Sequence, residues 1–199
     1  MLGSITPLGE RGRKQRWAAT VSWFLLGSVA GGATAGAILG GAGSLALRAR
    51  VLSTPVRLAA LAVLLGAGAF LDSGLVRIAL PTNRRQVNED WLSRYRGWVY
   101  GGAFGLQLGL GVVTVVSTSA VYSTFLAAFL SGGLLSGALI GATFGLLRAT
   151  PQLVTARVKR PDDLVRMDRT LRAWDRPARR WAVALEVAVA ASALMVAMT

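Results

Sequence analysis

The chain has 199 residues, of which 53% are hydrophobic and 16% are charged, with a mean hydropathy of +0.52. The charges are clustered along the sequence, which favours a membrane protein over a soluble domain with a charged surface. Cysteine and histidine are both absent, which excludes disulfides, thiol relays, Cys-x-x-Cys zinc sites and imidazole acid–base chemistry.

The net charge of +13 fits two classes of partner, nucleic acid and anionic lipid. No basic stretch alternates with aromatic residues in the way that base stacking needs. We therefore expect the basic segments to contact the lipid bilayer and its anionic headgroups, and we expect no nucleic-acid partner.

Residues 1–16 form a polar, basic leader that we expect on the cytoplasmic side. The next 31 residues, Trp17–Leu47, carry no charge and are longer than the apolar core of a signal peptide. They predict a first membrane crossing. Seven glycines in this stretch leave open whether the helix is tilted, kinked or broken.

A short basic loop leads to a second predicted crossing, Leu58–Leu80. Residues 17–80 thus form a first membrane half of two helices. A polar linker follows at residues 81–96, and aromatic residues near its end predict an interfacial belt. The belt residues are Trp91, Tyr95, Trp98 and Tyr100.

The stretch Gly97–Leu147 contains 51 residues without a charged side chain, enough for two crossings of about 20 residues each. It predicts a transmembrane helical hairpin with its turn near Ser117–Ser123. With the segments that follow, it makes residues 97–199 a second membrane half of three helices.

The segment 148–180 is strongly basic and contains a short amphipathic pattern. Arginines separate the apolar residues Leu164, Met167, Leu171 and Trp174, which predicts a helix lying in the headgroup layer. Trp181–Thr199 is just long enough for a fifth crossing.

Glycines recur at every fourth position in three of the predicted crossings. This spacing places each ladder on one helix face, where missing side chains let another backbone approach closely. The predicted packing glycines are Gly32, Gly36, Gly40, Gly101, Gly105, Gly109, Gly133, Gly137, Gly141 and Gly145.

Basic residues predict the orientation of the chain. If the N-terminus is cytoplasmic, 19 of the 22 basic residues lie inside, and the outside loop holds Arg48, Arg50 and Arg57. The positive-inside rule therefore predicts a cytoplasmic N-terminus and an external C-terminus. The use of 20 arginines against 2 lysines fits a GC-rich bacterial source, so we expect a bacterial inner membrane.

An internal match relates Ser22–Gly41 to Ser123–Ala142 at a spacing of 101 positions. In the predicted topology the two segments cross the membrane in opposite directions, as in the inverted repeats of secondary transporters. The alternative is that glycine- and alanine-rich helices match through composition alone.

The run YGGAFGLQLGLGVVT, Tyr100–Thr114, and the glycine-rich first and fourth predicted helices carry a family resemblance. Together they resemble the membrane domains of cytochrome c biogenesis and thiol-disulfide interchange proteins and of related small exporters. The resemblance covers about a third of the chain and implies a helical fold with a solute path. Redox members carry a cysteine in each of two equivalent helices; this chain has none, so electron relay is not implied and no cofactor is expected.

Two acidic residues fall within predicted crossings, Asp72 and Glu186, where charges are costly and therefore candidates for function. The functional hypothesis is a proton- or cation-coupled site across the bundle, with Gln107 and Thr114 as neutral polar partners. The structural alternative pairs Asp72 with Arg77, and Glu186 with a neighbouring helix or Arg180.

Seven hydroxyl residues surround the predicted hairpin turn, where they either line an outward vestibule or cap helix ends. They are Thr114, Ser117, Thr118, Ser119, Tyr122, Ser123 and Thr124. No hydrolase motif, phosphate-binding loop or dinucleotide-binding strand is present, so we expect neither an enzyme nor a metal site.

These features predict an all-α integral membrane protein of about five crossings with Gly-x-x-x-Gly packing, an inverted repeat and one interfacial amphipathic helix. The leading functional hypothesis is movement of a small solute or ion by alternating access. The alternative is a non-transporting assembly or scaffold subunit whose glycine faces dock a second copy or a membrane partner. A transporter needs a polar cavity between the first and fourth crossings, whereas a scaffold needs a closed bundle with a glycine face left open.

Overall fold

A computed structural model describes residues 5–48, 53–73, 90–111 and 119–198, and these residues fold into α-helices and one 3₁₀ helix. Within these described ranges, four helices are long and apolar enough to cross a membrane, and a fifth, shorter helix is apolar. The helices are α1 (Pro7–Gly12), α2 (Trp17–Arg48), α3 (Thr54–Asp72), α4 (Trp91–Arg94), α5 (Gly97–Leu110), α6 (Ala120–Leu130), α7 (Leu134–Ala149) and α8 (Pro161–Met198), with the 3₁₀ helix Thr150–Arg157 after α7.

The central helix is α2, which is continuous over 32 residues and packs against α5, α6 and α7. Its many glycines therefore do not break it. Helix α3 begins four residues before the predicted second crossing, with Pro55 in its first turn, where a missing N–H costs no hydrogen bond. The predicted end of that crossing at Leu80 lies outside the described residues.

The predicted hairpin over Gly97–Leu147 is wrong in its turn position, because the described part of this stretch holds three helices. Helix α5 ends at Leu110 and is capped by Gly111, whose φ of 72° is the left-handed conformation that closes many helices. Helix α6 follows and ends beside Gly43, near the end of α2. The chain then reverses at Gly132, which has a φ of 60°. The reversal thus lies about ten residues beyond the predicted turn at Ser117–Ser123.

The directions of these helices follow from their contacts with α2. Gly101 lies against Thr20 and Gly109 against Ser28, so α5 runs parallel to α2. Helix α6 reaches Gly43, so it continues along α2 in the same direction. Helix α7 returns antiparallel to α2, as the next subsection describes. Helices α5 and α6 therefore occupy, as two shorter pieces, the place of the third predicted crossing.

The C-terminal segments also differ from the prediction. The amphipathic stretch Leu164–Trp174 and the predicted fifth crossing, Trp181–Thr199, lie in one 38-residue helix, α8, with Pro177 inside it. Proline removes one backbone donor, and the helix continues on both sides of it. Helix α8 packs mainly against α3.

The two segments of the internal match have different backbones. Ser22–Gly41 lies within the continuous helix α2, whereas Ser123–Ala142 contains the break between α6 and α7. Gly132, which corresponds to Gly31 in the match, is the left-handed residue at that break. The structure therefore gives the inverted repeat no support.

Residues of the predicted leader form part of the core. The buried cluster at the start of α2 contains Ile5, Val21, Phe24, Tyr100, Phe104 and Ala149. Segment 5–16, which includes α1, thus closes one end of the bundle, where α2 and α5 begin and α7 ends.

Candidate functional site

The contact between α2 and α7 is made backbone to backbone by three pairs of glycines. A Cβ on Gly36 would collide with the carbonyl oxygen of Gly137, and a Cβ on Gly137 would collide with that of Gly36. The neighbouring pairs are Gly32 with Gly141 and Gly40 with Gly133. We refer to this contact as the α2–α7 seam. It leaves no room for a polar cavity between these helices.

A second close contact joins α2 to α5. A Cβ on Gly105 would collide with the carbonyl oxygen of Phe24, and one on Gly109 with that of Ser28. The Ser28 hydroxyl, which is fully buried, donates to the carbonyl oxygen of Gly145 at 2.7 Å. Helix α2 is therefore closed on two sides, toward α5 and toward α7.

The two acids that are predicted to lie within membrane crossings lie together, joined by Ser119 at the start of α6. The backbone N–H of Ser119 donates to Asp72 Oδ2 at 2.8 Å, and Ser119 Oγ lies 3.0 Å from the same oxygen. Ser119 Oγ also lies 3.3 Å from Glu186 Oε1. Asp72, Glu186 and Ser119 are 6%, 5% and 5% exposed. We refer to these three residues as the acid cluster.

Local structure explains why the acid cluster forms. Asp72 is the last residue of α3, and its carboxylate accepts from the free N–H at the start of α6, where a negative charge is favourable. Gly68, one turn earlier in α3, lets Ser119 approach closely, since a Cβ there would lie 2.7 Å from Ser119 Oγ.

A groove of about 220 Å³ runs beside the acid cluster between α3, α6, α7 and α8. Its polar lining consists of Glu186, Ser123 and Thr124, while leucine, alanine, isoleucine and valine side chains form the rest. No lysine or arginine is among the described residues that line it. The groove can hold a small apolar group next to a carboxyl group.

Of the predicted polar partners of these acids, Gln107 and Arg180 are among the described residues, and neither lies in the acid cluster. Gln107 is half-buried in α5, and no described hydrogen bond joins it to either acid. Thr114 and Arg77 lie outside the described residues. Arg180 is exposed on α8, so the structure does not place it against Glu186. Of the seven hydroxyl residues, Ser119 contacts the acids, and Thr124 bonds within its own helix to the carbonyl oxygen of Ala120.

A third buried acid, Glu10 in α1, is not predicted from the sequence. Its carboxylate accepts from Tyr100 Oη at 2.6 Å, from Thr20 Oγ1 at 2.7 Å and from Arg13 Nη2 at 2.6 Å. Glu10 and Tyr100 are both completely buried. The sequence signal was Thr6-Pro7 ahead of an acid, which is typical of a helix start.

The hydrogen bond between Tyr100 and Glu10 corrects the prediction of an interfacial aromatic belt. Tyr100 faces inward onto Glu10, whereas Tyr95 and Trp98 are 49% and 51% exposed. Burial raises the pKa of Tyr100 to about 12, and the hydrogen bond and charge of Glu10 act in the same direction. Tyr100 lies in the first turn of α5, which is not one of the four long apolar helices.

Further contacts hold the N-terminal segment to the end of α7. The carbonyl oxygen of Ile5 accepts from Gln152 Nε2 at 2.7 Å and from Thr155 Oγ1 at 3.1 Å. Trp17 Nε1 also lies within hydrogen-bonding distance of Thr155 Oγ1, at 3.2 Å. Residues 138 to 150 positions apart in sequence are thus joined at one end of the bundle.

The helices and their contacts define a class: a helical protein with several apolar helices of membrane-spanning length. No family model matches the chain, and no solved structure matches it. It is similar to two curated proteins, the methylamine utilization protein MauF of Paracoccus versutus and that of Paracoccus denitrificans. Identity is 34% over 119 residues, which is 58% of this chain. The match covers 43% and 42% of the two relatives, so the chain spans less than half of their length.

Proposed function

We propose that this chain is a multi-pass membrane protein that serves as a non-transporting assembly subunit. The observation that carries the proposal is the α2–α7 seam, where paired glycines leave no passage between the helices. Glycine-mediated packing is a typical way to fix helices against each other in lipid, where burial of apolar surface supplies no driving force. The proposal includes the Gly-x-x-x-Gly packing of the bundle and the absence of enzymatic activity.

Two glycines outside the closed contacts supply candidate docking faces. A Cβ on Gly41 of α2 or on Gly66 of α3 would meet no described atom within 4 Å. Around Gly66, the side chains of Val63 and Phe70 are 69% and 53% exposed. A second copy or a membrane partner can pack closely against such a face.

The similarity to the methylamine utilization protein MauF supports a proposed assembly role in methylamine utilization. Disruption of the gene in its own host is expected to impair growth with methylamine as the only carbon source and to leave growth on succinate unchanged. Complementation with wild-type protein would restore growth. Complementation by Gly66→Leu, which fills the open face of α3, should fail although the variant accumulates in the membrane. Normal growth of the disrupted strain on methylamine would contradict this role.

Movement of a small solute or ion is the second candidate function, and the acid cluster is the observation that favours it. The resemblance to cytochrome c biogenesis membrane domains and small exporters also stays a hypothesis for this chain. Solute flux across liposomes that contain the purified protein distinguishes the two functions. An assembly subunit gives solute flux equal to that of empty liposomes, whereas a transporter gives flux that Glu186→Gln or Asp72→Asn abolishes.

We also propose that the basic segments contact anionic lipid on the cytoplasmic side of an inner membrane. A groove of about 340 Å³ between the 3₁₀ helix and α8 supports this proposal. Arg157, Asp163, Arg166 and Thr170 are its polar lining residues, and Val154, Val158 and Met167 supply its apolar surface. Guanidinium groups beside an apolar surface suit a phosphate with an attached acyl chain.

A further inference from the structure

The hydroxyl of Ser119 has one hydrogen but two carboxyl neighbours. Its Oγ lies 3.0 Å from Asp72 Oδ2 and 3.3 Å from Glu186 Oε1. An ionised carboxylate can only accept hydrogen bonds, and a hydroxyl donates only one. Both contacts are hydrogen bonds only when one of the two carboxyl groups contributes a proton of its own.

The hydrogen bonds of the acid cluster identify which acid carries that proton. Asp72 Oδ2 accepts from the backbone N–H of Ser119 and lies at the start of α6, which stabilises a negative charge. Among the described residues Glu186 has no comparable donor, and its Oε2 is buried without a hydrogen-bond partner in that part of the chain. Asp72 is therefore suited to the ionised form and Glu186 to the protonated form.

The charges around the acid cluster support the same assignment. Asp72 faces Glu186 from α3, and the described residues that line the groove from α6 and α7 are uncharged. Two negative charges that are each about 95% buried, with no cation among the described groove residues, are strongly unfavourable. A bound proton removes one of the two charges.

We propose that the acid cluster is a proton-binding site. Glu186 carries the proton on Oε1 and donates it to Ser119 Oγ, and Ser119 donates its own hydrogen to Asp72 Oδ2. The groove between α3, α6, α7 and α8 reaches the Glu186 carboxyl group and gives the proton a route for exchange. This site goes beyond the assembly role and does not depend on it.

Infrared spectroscopy of the purified protein at neutral pH tests the proposal. We expect a carbonyl-stretch band of a protonated carboxylic acid that shifts in D₂O and is lost in Glu186→Gln. The matched control is Glu10→Gln, because Glu10 is equally buried but accepts from Arg13, Tyr100 and Thr20 and should be ionised. Absence of the band from the wild-type protein overturns the proposal. So does a band that persists in Glu186→Gln or disappears in Glu10→Gln.

A measurement on the wild-type protein keeps the test valid if a variant fails to fold. Dicyclohexylcarbodiimide couples to protonated carboxyl groups in apolar surroundings, and peptide mass spectrometry locates the product. We expect modification of Glu186, with a yield that falls as the pH rises, and none at Glu10. Modification of Glu10 in preference to Glu186 overturns the proposal. Neither measurement involves growth or solute flux, so failure of the proton site is distinguishable from failure of the assembly role.

Discussion

Gly36 of α2 and Gly137 of α7 lie so close that neither residue can carry a side chain while the helices keep their positions. The two residues are 101 positions apart, and each is preceded and followed on its own helix by another glycine of the α2–α7 seam. The separation of α2 from α7 is therefore determined by backbone contact. A residue with a side chain at either position must therefore displace α2 or α7.

The first prediction compares two glycines of α2. Gly36→Ala is expected to lower the free energy of unfolding by about 1–3 kcal/mol, because the added methyl group overpacks the α2–α7 seam. Gly41→Ala meets no described atom and should stabilise the helix by up to about 1 kcal/mol, since alanine is the better helix former. Thermal unfolding in detergent measures both variants. Equal effects would show that the seam is not closely packed.

The second prediction concerns the buried carboxylate of Glu10. Glu10→Ala leaves the buried hydroxyls of Tyr100 and Thr20 without their acceptor, which is expected to cost about 2–5 kcal/mol of stability. Arg11→Ala, on the exposed side of the same helix, should change stability by less than about 0.5 kcal/mol. The comparison uses chemical unfolding of both variants under one set of conditions. A Glu10→Ala protein as stable as the wild type would exclude an anchoring role for α1.

The third prediction is a loss of stability at alkaline pH. The pKa of Tyr100 is raised from 10.0 to about 12, first by burial and then by Glu10, so the folded state favours the neutral phenol. This stabilisation is complete below about pH 10, the unfolded value, and disappears as the pH rises through about 12. The unfolding temperature of the wild type should therefore fall across this interval. Tyr100→Phe should show a smaller fall, and it should lack the tyrosinate absorbance change near pH 12.

The fourth prediction tests the orientation of the chain. Since the protein has no cysteine, a single introduced cysteine reports on one position without interference. Arg57→Cys, at the start of α3, should react with an impermeant maleimide in intact cells, because this end of α3 is predicted to be external. Arg160→Cys, in the basic segment before α8, should react only after the membrane is permeabilised. The opposite pattern of labelling would reverse the proposed topology.

Much of the helical architecture could be predicted from the sequence, because long uncharged stretches have few alternatives to helix. Trp17–Leu47 corresponds to α2, and the predicted second crossing overlaps α3. The sequence also predicts Asp72 and Glu186 as candidate functional residues, because charges in apolar helices are rare. Their meeting at Ser119 required the three-dimensional arrangement of α3, α6 and α8.

The features that the sequence did not reveal depend on single residues and on distant contacts. Gly132 is one of several glycines in its segment, and only its left-handed backbone shows that the chain reverses there. The predicted interfacial helix and the predicted fifth crossing form one helix, α8, which contains Pro177. Glu10 resembled an ordinary polar residue of a leader, because its partners Thr20 and Tyr100 lie 10 and 90 positions away.

The central position of α2 has a consequence for how the protein is made. This helix leaves the ribosome before its neighbours, because the glycines that cover its two sides belong to α5 and α7, which are synthesised about 80 and 100 residues later. Until then, its exposed backbone carbonyl groups face lipid or a chaperone. Truncation before α7 should therefore produce a species that membrane proteases degrade, even though most of the apolar segments are already inserted.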